Sequence, residues 1–325
     1  MPQFGYYDRA RTWGVEIEAY GCDFYVLEAK LREAGIVVAI EGYNHERRRH
    51  WKITSDGSLS GLPNPFELVS PPLKGDEGLA ELKKVCKVLR ENGVKVNRQC
   101  GLHVHHDGAG MTVDAMKAAL TIWWKYEDVI QFFVSPSRRA NTYAAPAVPR
   151  GGCCGYRYSP TPNEAAGWKT AMDRVARIED LAQPHEGPNG LQPRRYAAVN
   201  FHAYWRHGTV EFRSHQGTIE YRKIEAWVVF TQWIITRARE VGCRVTPRMT
   251  GQWAEETRFL FRAINWVNLT DPVVMRAKNL LRKRFNEFKA ATRVQTVVQP
   301  APAPQVQITP NQPIPGAQIV DEEVE

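Results

Sequence analysis

Arg11-Thr12-Trp13-Gly14-Val15-Glu16-Ile17-Glu18-Ala19-Tyr20 is the stretch on which the fold turns. Over residues 12–20, Val15, Ile17 and Ala19 fall on one face of an extended chain, with Gly14, Glu16 and Glu18 on the other. That period of two predicts a strand. Side chains at i and i+2 on a strand lie about 6.5–7 Å apart. Two carboxylates at that spacing repel by roughly 2–3 kcal/mol at an effective dielectric near ~20. The same pattern returns downstream, pairing His103 with His105, Asn200 with His202, and Thr209 with Glu211 and Arg213. A sheet face that gathers such groups calls for cations. Carboxylates and imidazoles with few cysteines favour a hard divalent ion, magnesium or manganese, over structural zinc.

Outward from these strands, the chain alternates between strand and helix signals. Helical spacing over residues 24–34 sets Tyr25, Leu27, Leu31 and Ala34 on one side and stops at Gly35. Residues 36–41, 50–54 and 66–70 read as strands, the last two flanking Ser55-Asp56-Gly57-Ser58. Asp76 is expected to cap a helix carrying Leu79, Leu82, Cys86 and Leu89, ended by Gly93. A strand at 102–106 precedes a long aromatic-rich helix from Thr112 to about Phe133. Residues 196–204 and 209–215 predict a hairpin around Arg206-His207-Gly208, followed by helices at 219–240, 253–264 and 271–289. Trp123, Trp124, Trp227 and Trp233 are expected in the core.

Two segments break the regularity. Residues 135–195, rich in Pro, Gly, Arg and Tyr, read as an irregular insertion. From 295 onward closely spaced prolines predict an extended, disordered tail with an acidic end. The expected organisation is one catalytic domain over 1–294 and a tail over 295–325.

Composition sets the outer limits. The 325 residues are 43% hydrophobic and 24% charged, as in ordinary globular chains. No apolar run approaches the ~18 residues of a membrane span. The N-terminus lacks the pattern of a secretory signal, and six cysteines without CxxC pairs point to a reduced, cytoplasmic setting. Net charge is +8; without the acidic final five residues, 43 basic residues face 31 acidic ones. A basic body suits an anionic partner. Neither a P-loop nor a Gly-x-Ser-x-Gly elbow occurs. The run Arg47-Arg48-Arg49-His50 reads as a solvated loop, and adjacent Cys153 and Cys154 as incidental.

Taken in order, four blocks carry a resemblance. Arg11 to Glu18, Asp56-Gly57-Ser58-Leu59 with Phe66-Glu67-Leu68-Val69-Ser70-Pro71-Pro72-Leu73, Cys100-Gly101-Leu102-His103-Val104-His105, and Thr209 to Thr218 are similar to the amidoligase family. That family belongs to the carboxylate–amine ligase superfamily, with glutamine synthetase and the glutamate–cysteine ligases. The resemblance spans about residues 11–237 and implies an α+β fold, a curved antiparallel sheet with helices on its convex face. It further implies an ATP-dependent ligase that forms an amide bond through an acyl phosphate. Glu16, Glu18, Glu67, His103 and Glu211 look like metal ligands for magnesium or manganese. His103, Arg213 and Asp56 look like nucleotide contacts, and Glu67, His105 and Arg213 like catalytic groups, with His215 a weaker carry-over. The implied partners are small-molecule, amino-acid or peptide carboxylates and amines. Two rivals stay open: a zinc hydrolase built on His103, His105 and carboxylates, and a basic nucleic-acid-binding protein using the 276–284 helix.

Overall fold

The computed structural model describes residues 7–44, 46–139, 141–144, 162–182, 196–243 and 253–297. Seven strands among them form one sheet: β1 (Trp13–Ala19), β2 (Val38–Ile40), β3 (Trp51–Thr54), β4 (Phe66–Val69), β5 (Gly101–Asp107), β6 (Val199–Asn200) and β7 (Thr209–Gln216). Their spatial order is β2-β3-β4-β1-β5-β7-β6, antiparallel throughout except for β2 beside β3. The fold is thus α+β around an open, mainly antiparallel sheet, with β1 near its centre.

The helices are α1 (Phe24–Glu33), α2 (Gly75–Glu91), α3 (Val113–Ile130), α4 (Pro162–Arg174), α5 (Ile178–Ala182), α6 (His202–His207), α7 (Tyr221–Val241), α8 (Trp253–Ala263) and α9 (Pro272–Val297). Alternation along the strands decides where the main helices pack. Val15, Ile17, Leu102, Val104, Val210 and Phe212 are all fully or nearly fully buried on one sheet face. Trp123 of α3 packs on Phe212 at 5.5 Å, and its edge meets Trp227 of α7 at 6.1 Å. Burying a side chain of this size stabilises the fold by about 1.5–3 kcal/mol. Trp124 and Trp233 are buried as well, so all four tryptophans lie in the core as expected.

Several sequence expectations need correction. The predicted hairpin contains a helix. Only Val199 and Asn200 pair with β7, and α6 fills the space before Gly208, whose φ of 66° closes it. Lys74, not Asp76, occupies the cap of α2; Asp76 sits in the first turn and pairs with Arg9 at 2.8 Å. Tyr25 points to solvent, leaving Leu27 and Leu31 to anchor α1. The insertion is partly regular: within it α4 places Trp168 flat on Trp124, at 4.7 Å, with its indole N–H on Thr121. Helix α9 continues to Val297, past the boundary read from the prolines. Arg284 of that helix is buried and donates to the Phe133 carbonyl, so it does not belong to a wet basic face. Cys153, Cys154 and residues 298–325 lie outside the described residues. No helix among the described residues is long and apolar enough to cross a membrane.

Candidate active site

The sheet face opposite the helices forms the floor of a cavity of about 1080 Å³. Strand register explains what converges there. Glu16 of β1 lies directly opposite His103 of β5, Gly14 opposite His105, and Glu18 opposite Glu67 of β4. His105 in turn faces Glu211 of β7. Directly opposed residues share a face, so four separate stretches of sequence meet on one surface.

The resulting distances are short. Glu16 lies 3.0 Å from His103 Nδ1 and 3.2 Å from His105 Nε2. His103 Nε2 is 3.4 Å from Glu18, and its Nδ1 is 3.6 Å from Glu211. Glu211 accepts from Arg213 and from Asn200, the latter at 2.7 Å. Thr209 Oγ1 meets His105 Nδ1 at 3.0 Å, fixing that ring. Gly101 donates its backbone N–H to Glu18. A Cβ on Gly101 would come within 3.1 Å of both Arg138 and His103 and within 3.3 Å of Glu18, so these side-chain ends would have to shift to admit it.

Three groups of donor atoms could each hold an ion. They are Glu16, His105 and Glu211; Glu16, Glu67 and His103; and Glu18, Asp56 and Glu67, every set with its ligand atoms within 4.8 Å of one another. Glu16 and Glu67 each serve two sets, which makes the three positions contiguous. Carboxylates dominate and no thiolate takes part, a donor chemistry that fits hard divalent ions.

The electrostatics agree with a cation-seeking cluster. Enclosure in the cavity wall, reinforced by Glu16, Glu18 and Asp56, pushes the Glu67 carboxyl well above the usual range. Enclosure also opposes charge on Glu16, yet His105 and His103 hold its carboxyl well below the usual range. For Glu211 burial is likewise outweighed, here by Arg213 and the two histidines, and the pKa falls. Burial would lower His105, but Glu16 and Glu211 raise it. Among the acids of the cluster that shift, Glu67 is the one whose proton is held more tightly.

Among the residues singled out from sequence, Glu16, Glu18, Asp56, Glu67, His103, His105, Glu211 and Arg213 all line the cavity. His215 does not. Phe212 opposes Val104 and His215 opposes Leu102, leaving Arg213 and Ser214 together against His103. This β-bulge inserts one residue, so Arg213 stays on the cavity face while His215 turns into the core, 5.2 Å from the Trp227 ring. Strict alternation misplaces it. Asn200 and His202 line the cavity, though from a strand end and a helix start rather than from one strand. The run at 47–50 also borders the cavity: Arg48 and His50 clamp Glu41 at 2.9 and 2.8 Å.

Sequence reasoning missed three contributors. Arg138, inside the supposed irregular insertion, is buried and donates to the Arg213 carbonyl at 2.9 Å. Tyr143, from the same insertion, accepts from Arg213 Nε at 3.0 Å through its carbonyl. Lys52 is buried in β3 and faces the cavity. The alternation of Trp51 and Ile53 with Lys52 was the available signal for the last; the first two carry no local pattern.

A family model described as "Putative amidoligase enzyme" matches residues 9–235. The chain belongs to this amidoligase family. Among solved structures, the complex between the prokaryotic ubiquitin-like protein Pup and its ligase PafA aligns with a TM-score of 0.36 at 10% identity, covering 88% of this chain and 65% of that one. A novel glutamine synthase homolog aligns with a TM-score of 0.32 at 11% identity, covering 89% of this chain and 68% of the other. No curated protein matches the sequence.

Proposed function

We propose that the chain is an ATP-dependent carboxylate–amine ligase acting on small-molecule, amino-acid or peptide substrates. The observation that carries this reading is the set of three contiguous, oxygen-rich ligand groups sharing Glu16 and Glu67, with Arg213 beside them. Glu16, Glu18, Glu67, His103 and Glu211 would hold magnesium or manganese, and His103, Arg213 and Asp56 would border the nucleotide phosphates. Bound Mg-ATP would supply the phosphoryl group that converts the substrate carboxylate to an acyl phosphate, with the ions neutralising phosphate charge.

The chain's own residues contribute positioning and proton transfer. Arg213 is fixed at both ends of its guanidinium, by Glu211 and by the Tyr143 carbonyl. It enters the site already oriented, which suits it to stabilise charge that develops during transfer. Burial and the neighbouring acids raise the proton affinity of Glu67. It is suited to accept the proton that the attacking amine must lose. His105, oriented by Thr209, offers a second acceptor at the opposite side of Glu16.

The test is direct. Purified protein with ATP, magnesium and a mixed pool of carboxylates and amines should release ADP and phosphate in an amine-dependent manner. Folded, metal-loaded protein that shows no calorimetric signal with ATP would falsify the ligase reading.

A further inference from the structure

Two residues of the insertion grip Arg213 at opposite ends. The Tyr143 carbonyl accepts from Arg213 Nε at 3.0 Å, and Arg138 Nη2 donates to the Arg213 backbone carbonyl at 2.9 Å. On the other flank the Arg213 N–H reaches the Ala198 carbonyl at 2.9 Å, and its guanidinium reaches Glu211. The Arg138 contact falls at the β-bulge, where Arg213 and Ser214 together face His103. A bulge disrupts its ladder locally and re-aims a side chain. A donor from outside the ladder, placed on this carbonyl, therefore bears on where Arg213 points.

Arg138 is tightly placed for this task. It is 4% exposed, and among the described residues its side chain makes that one hydrogen bond, with Nε unpartnered. Burial opposes its charge, Glu18 offsets part of that penalty, and Arg213 adds to it. A buried guanidinium is costly, and the bond that this one makes goes to the arginine of the site. Its Nη2 also lies 3.1 Å from where a Cβ on Gly101 would sit, so it is wedged between β5 and β7. The short 3-10 turn that carries it, Pro136–Arg138, is anchored in turn. Ser135 donates its N–H to Gln216 Oε1 at 2.9 Å, at the end of β7, and the Arg139 guanidinium covers the Phe132 ring at 4.5 Å.

We infer that Arg138 is a positioning residue, which bridges the bulge between β5 and β7 and so fixes the aim of Arg213. The inference rests on the ligase reading for what Arg213 does. It goes beyond that reading in giving the insertion a role that needs no contact with substrate or nucleotide.

The experiment compares wild type, Arg138→Met and Arg138→Lys in three measurements. These are ADP release at saturating Mg-ATP with the mixed pool of carboxylates and amines, calorimetric affinity for Mg-ATP, and hydrogen exchange by NMR. Exchange is read at the Arg213 Nε–H, its signal identified by its loss in Arg213→Lys, and at the Ile234 amide in the core of α7. In Arg138→Met, ADP release should fall about 10- to 100-fold, with Mg-ATP affinity kept within about three-fold. The Arg213 Nε–H should exchange about ten-fold faster while the Ile234 amide is unchanged. Arg138→Lys, which keeps one donor, should recover part of both losses. Unchanged ADP release or unchanged Nε–H exchange overturns the assignment. Mg-ATP affinity that falls in step with ADP release makes Arg138 a ligand contact, and exchange that quickens equally at Ile234 makes it a general prop; either result overturns it too. Should Arg138→Met fail to fold, Gln216→Ala decides, because it frees the turn at Ser135 and leaves Arg138 in place: faster Nε–H exchange supports the bridge and unchanged exchange overturns it. A wild type that releases no ADP sinks the ligase reading, and the Nε–H exchange then decides the role of Arg138 by itself.

Discussion

His105 and His106 are chain neighbours with opposite fates. His105 faces the cavity, and the acids Glu16 and Glu211 raise its proton affinity. His106 is wholly buried on the helix-packed face, bonds Thr231 at 2.7 Å and meets the edge of Phe212. Its burial, together with Arg11 nearby, keeps it neutral well below the ordinary histidine range. The contrast extends across the whole sheet. One face gathers carboxylates and imidazoles, whereas the other buries aromatic surface that holds the domain together. Core packing and the ionisable cluster are thus assigned to alternate residues of the same strands.

The sharpest way to break this contrast is to mutate one residue from each face. Glu16→Gln should lower amide-forming activity by at least about a hundred-fold, since Glu16 serves two ligand groups. Its melting temperature in metal-free buffer should fall modestly, because His103 and His105, at 3.0 and 3.2 Å, lose the carboxylate that they hold ionised. Phe212→Ala, one residue from Glu211, should instead cost about 3–5 kcal/mol in denaturant unfolding. Activity loss without destabilisation at Phe212, or destabilisation with full activity at Glu16, would undo the division of labour.

Supporting polar groups should show intermediate effects. Asn200→Ala removes the donor that holds Glu211 at 2.7 Å. Metal affinity, followed by calorimetry with manganese, is expected to weaken about 10-fold or more, with little change in melting.

The smallest effect is a pH dependence, in which His106 and His215 on the core face and Glu67 on the cavity face carry opposite signs. His106 and His215 have folded-state values well below their unfolded ones, burial being the chief cause and Arg11 and Arg284 adding to it. Below about pH 6.5 the unfolded chain takes up protons that these folded residues refuse, so their contribution to stability falls as pH drops. Glu67 runs the other way. Its folded value is raised, so above about pH 4.3 the unfolded carboxyl releases a proton that the folded one keeps, and its contribution falls as pH rises. Magnesium should therefore raise the melting temperature more at pH 8 than at pH 5.5. Equal shifts at both values would count against Glu67 as a ligand.

How much of this was visible in the chain follows from what governs each element. Strands β1 and β5 were legible because their apolar residues alternate cleanly with ionisable ones, and the metal-seeking cluster followed from the same alternation. Tyr25 was misjudged because helical spacing reports a face and not its depth. The hairpin failed since α6 is a six-residue helix, too short for a period to emerge. Arg138 and Tyr143 reach the site only through tertiary folding of a segment that has no repeat of its own.

The extra residue opposite His103 has a practical consequence for anyone aligning related chains. Deleting Ser214 would leave Arg213 opposite His103 and His215 opposite Leu102, the arrangement of an uninterrupted ladder. A relative one residue shorter at this point would preserve every pairing on either side. Gaps there should be scored as tolerated length variation, and a histidine two places after the arginine should not be counted towards the ion-binding set.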